Sequence, residues 1–291
     1  MTVADRPMLA RLPKRRIRLG AILATTFIGA YVLVINLPVF TVLSGSLKTS
    51  NQITTDPLGL PNPVDFTNYI RGWNGVAVGE PMWVYLLNTA VFTVVAVAVV
   101  IVLGTMAAYA ISRSSNWVST LAERYYLVLY TLPFLATIVP LYSITGDLGL
   151  RDNPAGVGLV YAASWMPMTV VLMLAFFASF PLDVIEAAKT DGASEWRAFV
   201  TIVVPMSQSA VLSNLLLAFI YAWNNLSHTF PLLTSPTSLT VAPGILLFSS
   251  QYTVDQGAQL AGMFMTVIPL ILAYAVLHRH IMESFRVGSF R

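Results

Sequence analysis

Three histidines and thirteen carboxylates are the groups from which this 291-residue chain could build acid–base or metal chemistry, and it has no cysteine. The missing thiol removes disulfides, cysteine-ligated metals and thiol nucleophiles. His228, His278 and His280 do not form a ligand constellation by spacing. His278 and His280 flank Arg279 at the end of an apolar run, where such side chains snorkel to an interface. No nucleophile–base pair stands out. A phosphate-cradling loop needs G-x-x-x-x-G-K-[ST], and no Gly-Lys pair occurs anywhere in the chain.

One polar segment carries a dense set of structural signals: Phe180-Pro-Leu-Asp-Val-Ile-Glu-Ala-Ala-Lys-Thr-Asp-Gly-Ala-Ser-Glu-Trp-Arg-Ala-Phe199. Asp183 with Glu186 is D-x-x-E, close to a capping box that starts a helix just after Pro181. That helix should stop at Gly192, suited to a left-handed cap. Ser194 can cap a second short helix, with Glu195 in its first turn. Pro205 follows a few residues into the next apolar run. The pattern therefore predicts two short helices around a glycine elbow at a membrane surface. A plain interfacial helix fits the same signals. The small residues Ala187, Ala188, Gly192 and Ala193 favour a docking surface, because a helix lying only on lipid shows larger apolar residues.

The elements around this segment must be membrane spans. Apolar residues are 56% and charged residues 10% of the chain, against about 45–50% and 25% in soluble domains. So few charges cannot cover a soluble surface. A span needs about 20 apolar residues, and six segments qualify: 20–47, 81–112, 125–146, 153–182, 198–223 and 256–277. Between the last two, a stretch rich in Asn, Ser, Thr and Pro reads as an outside loop, partly re-entrant in one reading. The first run is too long for a signal-peptide core of about 7–15 residues, so it reads as an uncleaved span. With the N-terminus inside, 13 of the 16 Lys and Arg fall inside and only Lys48, Arg71 and Arg151 outside. That split puts both termini in the cytoplasm. The fold class read from the sequence is thus all-α, a polytopic membrane protein of six transmembrane helices. Its organisation is a basic cytoplasmic segment at 1–19, a first span at 20–47 and an extracytoplasmic segment at 48–80. A five-helix core at 81–280 then contains the cytoplasmic loop 181–205, and a short cytoplasmic tail covers 281–291.

Those spans contain no Asp, Glu, Lys or Arg. Ion- and proton-coupled transporters keep such residues, since a coupling charge needs a buried partner. Their absence argues against secondary active transport and against a voltage sensor. Pro38, Pro133, Pro140, Pro167 and Pro269 fall in apolar stretches, where proline bends a helix.

Glu186-Ala187-Ala188-x-x-Asp191-Gly192-Ala193, followed by Phe199, Ile202 and Pro205, resembles the EAA loop of ABC importer permeases. The pattern is long, and all its principal positions are matched. Other segments are similar to the carbohydrate branch, and among its members to the second permease subunit of maltose-type importers. They are Ser46-Leu47-Lys48, Phe66-Thr67-Asn68-Tyr69, Asn88-Thr89, Ala108-Tyr109-Ala110 with Arg113, and Trp223-Asn224-Asn225, where Asn225 replaces the usual acid. The tail lacks the glycine-rich ending common in that family.

The resemblance implies a type I ABC importer permease fold in the bacterial cell membrane. It implies a second permease subunit, two cytoplasmic ATPase subunits holding ATP and magnesium, and an extracytoplasmic solute-binding protein or lipoprotein. No cofactor is implied on this chain itself, no nucleic acid, and no enzymatic activity. The loop would be the coupling helix seated in an ATPase cleft. Glu186 and Asp191 would cap it and pair with the ATPase. Ala187, Ala188 and Ala193 would pack closely, Gly192 would form the elbow, and Phe199 and Pro205 would complete the motif. For a sugar path, aromatic faces and amides are the chemistry required. Trp165, Asn214, Tyr221, Trp223 and Asn224 are the candidates, with helix packing as their alternative role. Residues 49–80 and 225–254 would receive the binding protein. A polyol, glycerol phosphate or another polar solute would suit the same architecture, and a self-contained passive channel is the reading from another class. Spans without cations favour a neutral solute.

Overall fold

A computed structural model describes residues 19–75, 79–248 and 255–287, and among these every regular element is helical. The basic residues at 6–18, segment 249–254 of the expected outside loop and tail positions 288–291 lie outside the described residues. Helix α1 (Leu19–Ser46) contains Pro38 and leaves most of its apolar side chains exposed. The segment after α1 then folds back through α2 (Ser50–Thr55) and α3 (Thr67–Asn74). The Asn68 amide donates to the carbonyls of Ser46 and Lys48 at 2.9 and 2.8 Å. Lys48 is fully buried and donates to the Asp56 carbonyl at 2.6 Å. This polar lattice fixes the segment over the end of α1.

The central pair is α4 (Met82–Arg113) against α7 (Pro154–Phe177). Between them lie α5 (Trp117–Thr131) and α6 (Phe134–Asp147). Glycine lets α4 and α7 approach closely, as membrane helices do where small residues meet. A Cβ at Gly158 would lie 2.7 Å from the Phe92 carbonyl oxygen, and one at Gly104 would lie 2.5 Å from Thr169 Cγ2. Asn153 caps α7 by accepting from Ala155 N and Gly156 N, with Pro154 at the first position.

The expected third span at 125–146 is broken. Helices α5 and α6 meet at 101°. Pro133 explains the break: it has no N–H and holds Leu132 extended at φ −71°, ψ 127°. Helix α5 also starts earlier than expected. Asn116 accepts from Ser119 N at 2.9 Å and opens it at Trp117, so the helix includes Glu123 and Arg124. The end of α7 falls at Phe177, short of the expected 182.

Next come α8 (Leu182–Thr190), α9 (Glu195–Ala198), a π-helical turn over Phe199–Val203, α10 (Val204–Met206) and α11 (Gln208–Trp223). The wide π turn accommodates Pro205, whose ring would collide with the carbonyl four residues before it in a regular helix. The chain bends by 76° at Ser207, so the expected fifth span is also a bent pair.

The stretch after α11 is not an exposed loop. Helices α12 (Thr229–Leu232) and α13 (Val241–Gly244) and two 3₁₀ turns tuck Leu232, Leu233, Leu239, Val241, Ile245 and Phe248 into the core beside Tyr85 of α4. Apolar side chains between the Ser, Thr and Pro residues drive this burial. Helix α14 (Gln256–Val287) extends past the expected end at 277 and packs on α1, α3 and α11. Arg71 of α3 pairs with Asp255 at 2.8 Å just before it. Among the described residues, four helices are long and apolar enough to cross a membrane, and up to six if each bent pair is one span.

Candidate functional site

The segment predicted as an elbow forms one. Helix α8 ends in a reciprocal cap. Gly192 N–H donates to the Lys189 carbonyl at 3.0 Å, and Ala193 N–H to the Ala188 carbonyl at 2.9 Å. Gly192 sits at φ +87°, a left-handed conformation that glycine adopts freely. Ser194 caps α9 by accepting from Arg197 N at 3.3 Å. Helix α8 starts just after Pro181, as expected. Pro181 is the N-cap residue, with no side-chain cap bond. Asp183 lies in the first turn and not at the cap, so the D-x-x-E pair forms no capping box.

Glu186, Ala187, Asp191 and Gly192 are exposed, and Ala188 and Ala193 are half-buried. The Glu186 and Asp191 carboxylates have no hydrogen-bond or ion-pair partner among the described residues. Neither side chain caps the loop. Asp191 takes the cap position through its backbone, and the Glu186 carbonyl accepts from the Thr190 hydroxyl at 2.9 Å. Ile185 anchors α8 inward, in a cluster with Phe177, Phe180 and Phe199. Phe199 is buried and Pro205 exposed, so Phe199 acts as an anchor under the elbow.

Sequence reasoning missed how strongly this elbow is tied to α4. The Glu195 carboxylate accepts from the Tyr109 hydroxyl at 2.7 Å, forms an ion pair with Lys189 across the elbow, and lies 3.9 Å from Arg113 Nε. The Tyr109 ring packs on Phe199 at 4.8 Å and edge-on to Phe177 at 5.8 Å. A cleft of about 360 Å³ opens here, lined by Met106, Arg113, Glu195 and Trp196 among others. Tyr109 lies 86 residues before Glu195, beyond the reach of any local spacing rule.

The five sugar-path candidates separate into two groups. Trp165 of α7 and Tyr221 of α11 face each other at 4.8 Å and share a cleft of about 300 Å³ with Tyr130, Ser164, Pro167 and Met168. Trp165 Nε1 is buried without a hydrogen-bond partner. Tyr161 stacks on Trp165 at 5.9 Å and meets His228 edge-on at 5.1 Å. The Tyr161 hydroxyl and both His228 ring nitrogens are likewise buried and unpartnered. Burial pushes His228 down to about 4, so its ring is neutral at pH 7. Trp165 and Tyr221 give the cleft its stacking faces, and among the described residues no lysine, arginine or carboxylate lines it.

Asn214, Trp223 and Asn224 are placed differently. Asn214 is buried at Thr169, with its Nδ2 3.5 Å from the Thr169 carbonyl, in the α7–α11 contact. Trp223 Nε1 donates to the Thr266 carbonyl of α14 at 3.1 Å. Asn224 donates back to the Ile220 carbonyl at 2.9 Å and ends α11. None of the three lines the cleft. Each fills a packing or capping role that its residue type serves equally well.

Fold and site define a helical membrane protein with an exposed two-helix elbow and an internal aromatic cleft. The chain belongs to the family of inner membrane components of binding-protein-dependent transport systems, whose model matches residues 100–286. It is 32% identical over 285 residues to the diacetylchitobiose uptake system permease protein NgcG of Streptomyces coelicolor, covering 97% of this chain and 93% of that one. It is 31% identical to the trehalose transport system permease protein SugB of Mycobacterium tuberculosis, covering 94% and 98%. A chain of a bacterial ABC transporter involved in the import of the acidic polysaccharide alginate has the same fold, with a TM-score of 0.76 and 22% identity over 92% of this chain and 99% of that one. The chain is therefore an ABC transporter permease of the cell membrane, in the branch whose relatives carry sugars.

Proposed function

We propose that this chain is the permease subunit of an ABC importer that takes up a neutral sugar or oligosaccharide, with ATP hydrolysed by a separate subunit. The observation that carries the reading is the elbow: a capped, small-residue helix, exposed at one end of the bundle, with two carboxylates left unpaired. Burying those carboxylates without partners would be costly, so a docking partner should offer cations. On this reading α8 is the coupling helix. The chain spans the membrane six times, with each bent pair as one span and both termini in the cytoplasm. A second permease subunit, two ATPase subunits with ATP and magnesium, and an extracytoplasmic binding protein complete the assembly.

ATP-driven closure of the ATPase pair would carry α8 with it. The rigid cap would pass that motion to α7 and α11, rocking the spans between inward- and outward-facing states. The Trp165–Tyr221 cleft supports the sugar assignment: aromatic faces cover the apolar faces of pyranose rings, and the unpartnered Trp165 Nε1 would meet a sugar hydroxyl. Its lack of cations favours a neutral solute over glycerol phosphate. Sugar substrates of the two relatives point the same way. The test is purification in mild detergent with identification of what co-purifies, followed by a sugar screen on the binding protein. An ATPase, a second permease and a sugar-binding protein are the expected companions. A chain that purifies alone and carries flux alone in liposomes would overturn the proposal.

A further inference from the structure

The geometry points to Glu195 and Tyr109 as a latch that makes α4 a second output of the elbow, beside its covalent neighbours α7 and α11. The inference rests on the coupling role proposed for α8. Covalent continuity already links α8 to α7 and, through α9 and α10, to α11. Helix α4 has no such link, yet it forms the main contact with α7 and ends beside the elbow. Glu195 supplies the missing connection. Its carboxylate takes the Tyr109 hydroxyl at 2.7 Å on α4 and the Lys189 ammonium on α8. It thus ties three elements at one point, astride the Gly192 turn.

The chemistry suits a latch better than a rivet. The Arg113 guanidinium is 3.9 Å from the same carboxylate, an ion-pair distance too long for a hydrogen bond, and its buried Nε has no hydrogen-bond partner. A small shift of the elbow would let Glu195 exchange Tyr109 for Arg113 without ever leaving its charge uncompensated. The neighbouring cleft of about 360 Å³ gives the side chains room to make that exchange. The Tyr109 ring stays held between Phe177 and Phe199, so removing only its hydroxyl spares the packing. Glu195 and Tyr109 are positioning residues that act through α4 and α8.

The experiment uses the complete importer in proteoliposomes and measures solute accumulated per ATP hydrolysed. Tyr109→Phe, Glu195→Ala and the double variant are compared with wild type. Loss of one charge-assisted hydrogen bond shifts a latch equilibrium about tenfold. The expected result for Tyr109→Phe is about a tenfold fall in solute per ATP, with ATP turnover and assembly retained. The double variant should be no worse than Glu195→Ala, because both remove one contact. Wild-type coupling in Tyr109→Phe, or losses that add in the double variant, would overturn the latch. Cross-linking of Ala188→Cys to the ATPase, run in the same membranes, separates the two readings. Retained cross-linking with unchanged coupling sinks the latch alone, while absent cross-linking in the otherwise wild-type chain sinks the docking role beneath it.

Discussion

Replacing Gly192 tests the elbow through backbone conformation alone. At φ +87° an added side chain is strained, yet a Cβ there meets nothing within 4 Å. The chain itself therefore imposes no steric penalty, and the left-handed conformation costs an L-residue about 1–2 kcal/mol. That is a factor of about 5–30 in the population of the capped elbow. Relief comes by opening the two backbone bonds at Lys189 and Ala188 that close α8. Asparagine tolerates the left-handed region better than alanine, and β-branched valine worst. Uptake by the reconstituted importer should therefore fall in the order Gly, Asn, Ala, Val, with ATP hydrolysis retained and the valine variant uncoupled. If bulk against a partner mattered instead, alanine would outperform asparagine. Wild-type uptake in Gly192→Val, or alanine above asparagine, would refute the backbone argument.

Other outcomes follow from the same geometry. Ser194→Ala should destabilise the start of α9 by about 0.5–2 kcal/mol and raise amide exchange at Arg197, read by hydrogen-exchange mass spectrometry. Gly158→Ala should lower the thermal unfolding temperature, since its methyl would meet the rigid Phe92 backbone 2.7 Å away. Trp165→Ala and Tyr221→Ala should each cut uptake at least tenfold, while Asn224→Ala leaves it near wild type. Asp152 gives a pH test. Burial alone would raise its carboxyl, but hydrogen bonds from Ser235, Thr234 and Ser238 outweigh this and hold it below its ordinary value. A depressed folded pKa means the stabilisation is complete above the unfolded value of about 3.9 and is lost as pH falls through the lower folded value. Asp152→Asn should therefore lose stability at pH 7 and show a shallower acid limb below about pH 4 by thermal shift.

The elbow was legible because its signals are local. Gly192, Ser194 and the apolar anchors Ile185 and Phe199 act within a few residues of one another, and each took the place its chemistry dictates. The D-x-x-E signal marks the right start but forms no box, because Pro181 takes the cap position and leaves Asp183 in the first turn. Pro133 is visible in the sequence as a potential bend, and Pro205 only as a proline early in the next apolar run. Hydropathy alone gives a proline in a span no bend angle, so the 101° and 76° breaks were not readable. The stretch after α11 reads as a loop, partly re-entrant in one reading, on its polar content, and the burial of Leu232, Leu239 and Ile245 leaves no periodic trace in the sequence. Trp165 and Tyr221 could be nominated by type, but so could Asn214 and Trp223, and only tertiary contact separates cleft from packing. The Glu195–Tyr109 contact joins residues 86 positions apart and left no local trace.

The central claim, that α8 docks on a separate ATPase, has a direct measurement. The chain has no native cysteine, so Ala188→Cys provides a unique thiol on the half-buried face of the elbow. Cross-linking is measured against cysteines introduced one at a time along the ATPase surface, with short and long linkers, with and without ATP. The account requires cross-links confined to one cleft of the ATPase, with a yield that changes when ATP binds. No cross-link at any position or linker length, in a preparation that still transports, would contradict it.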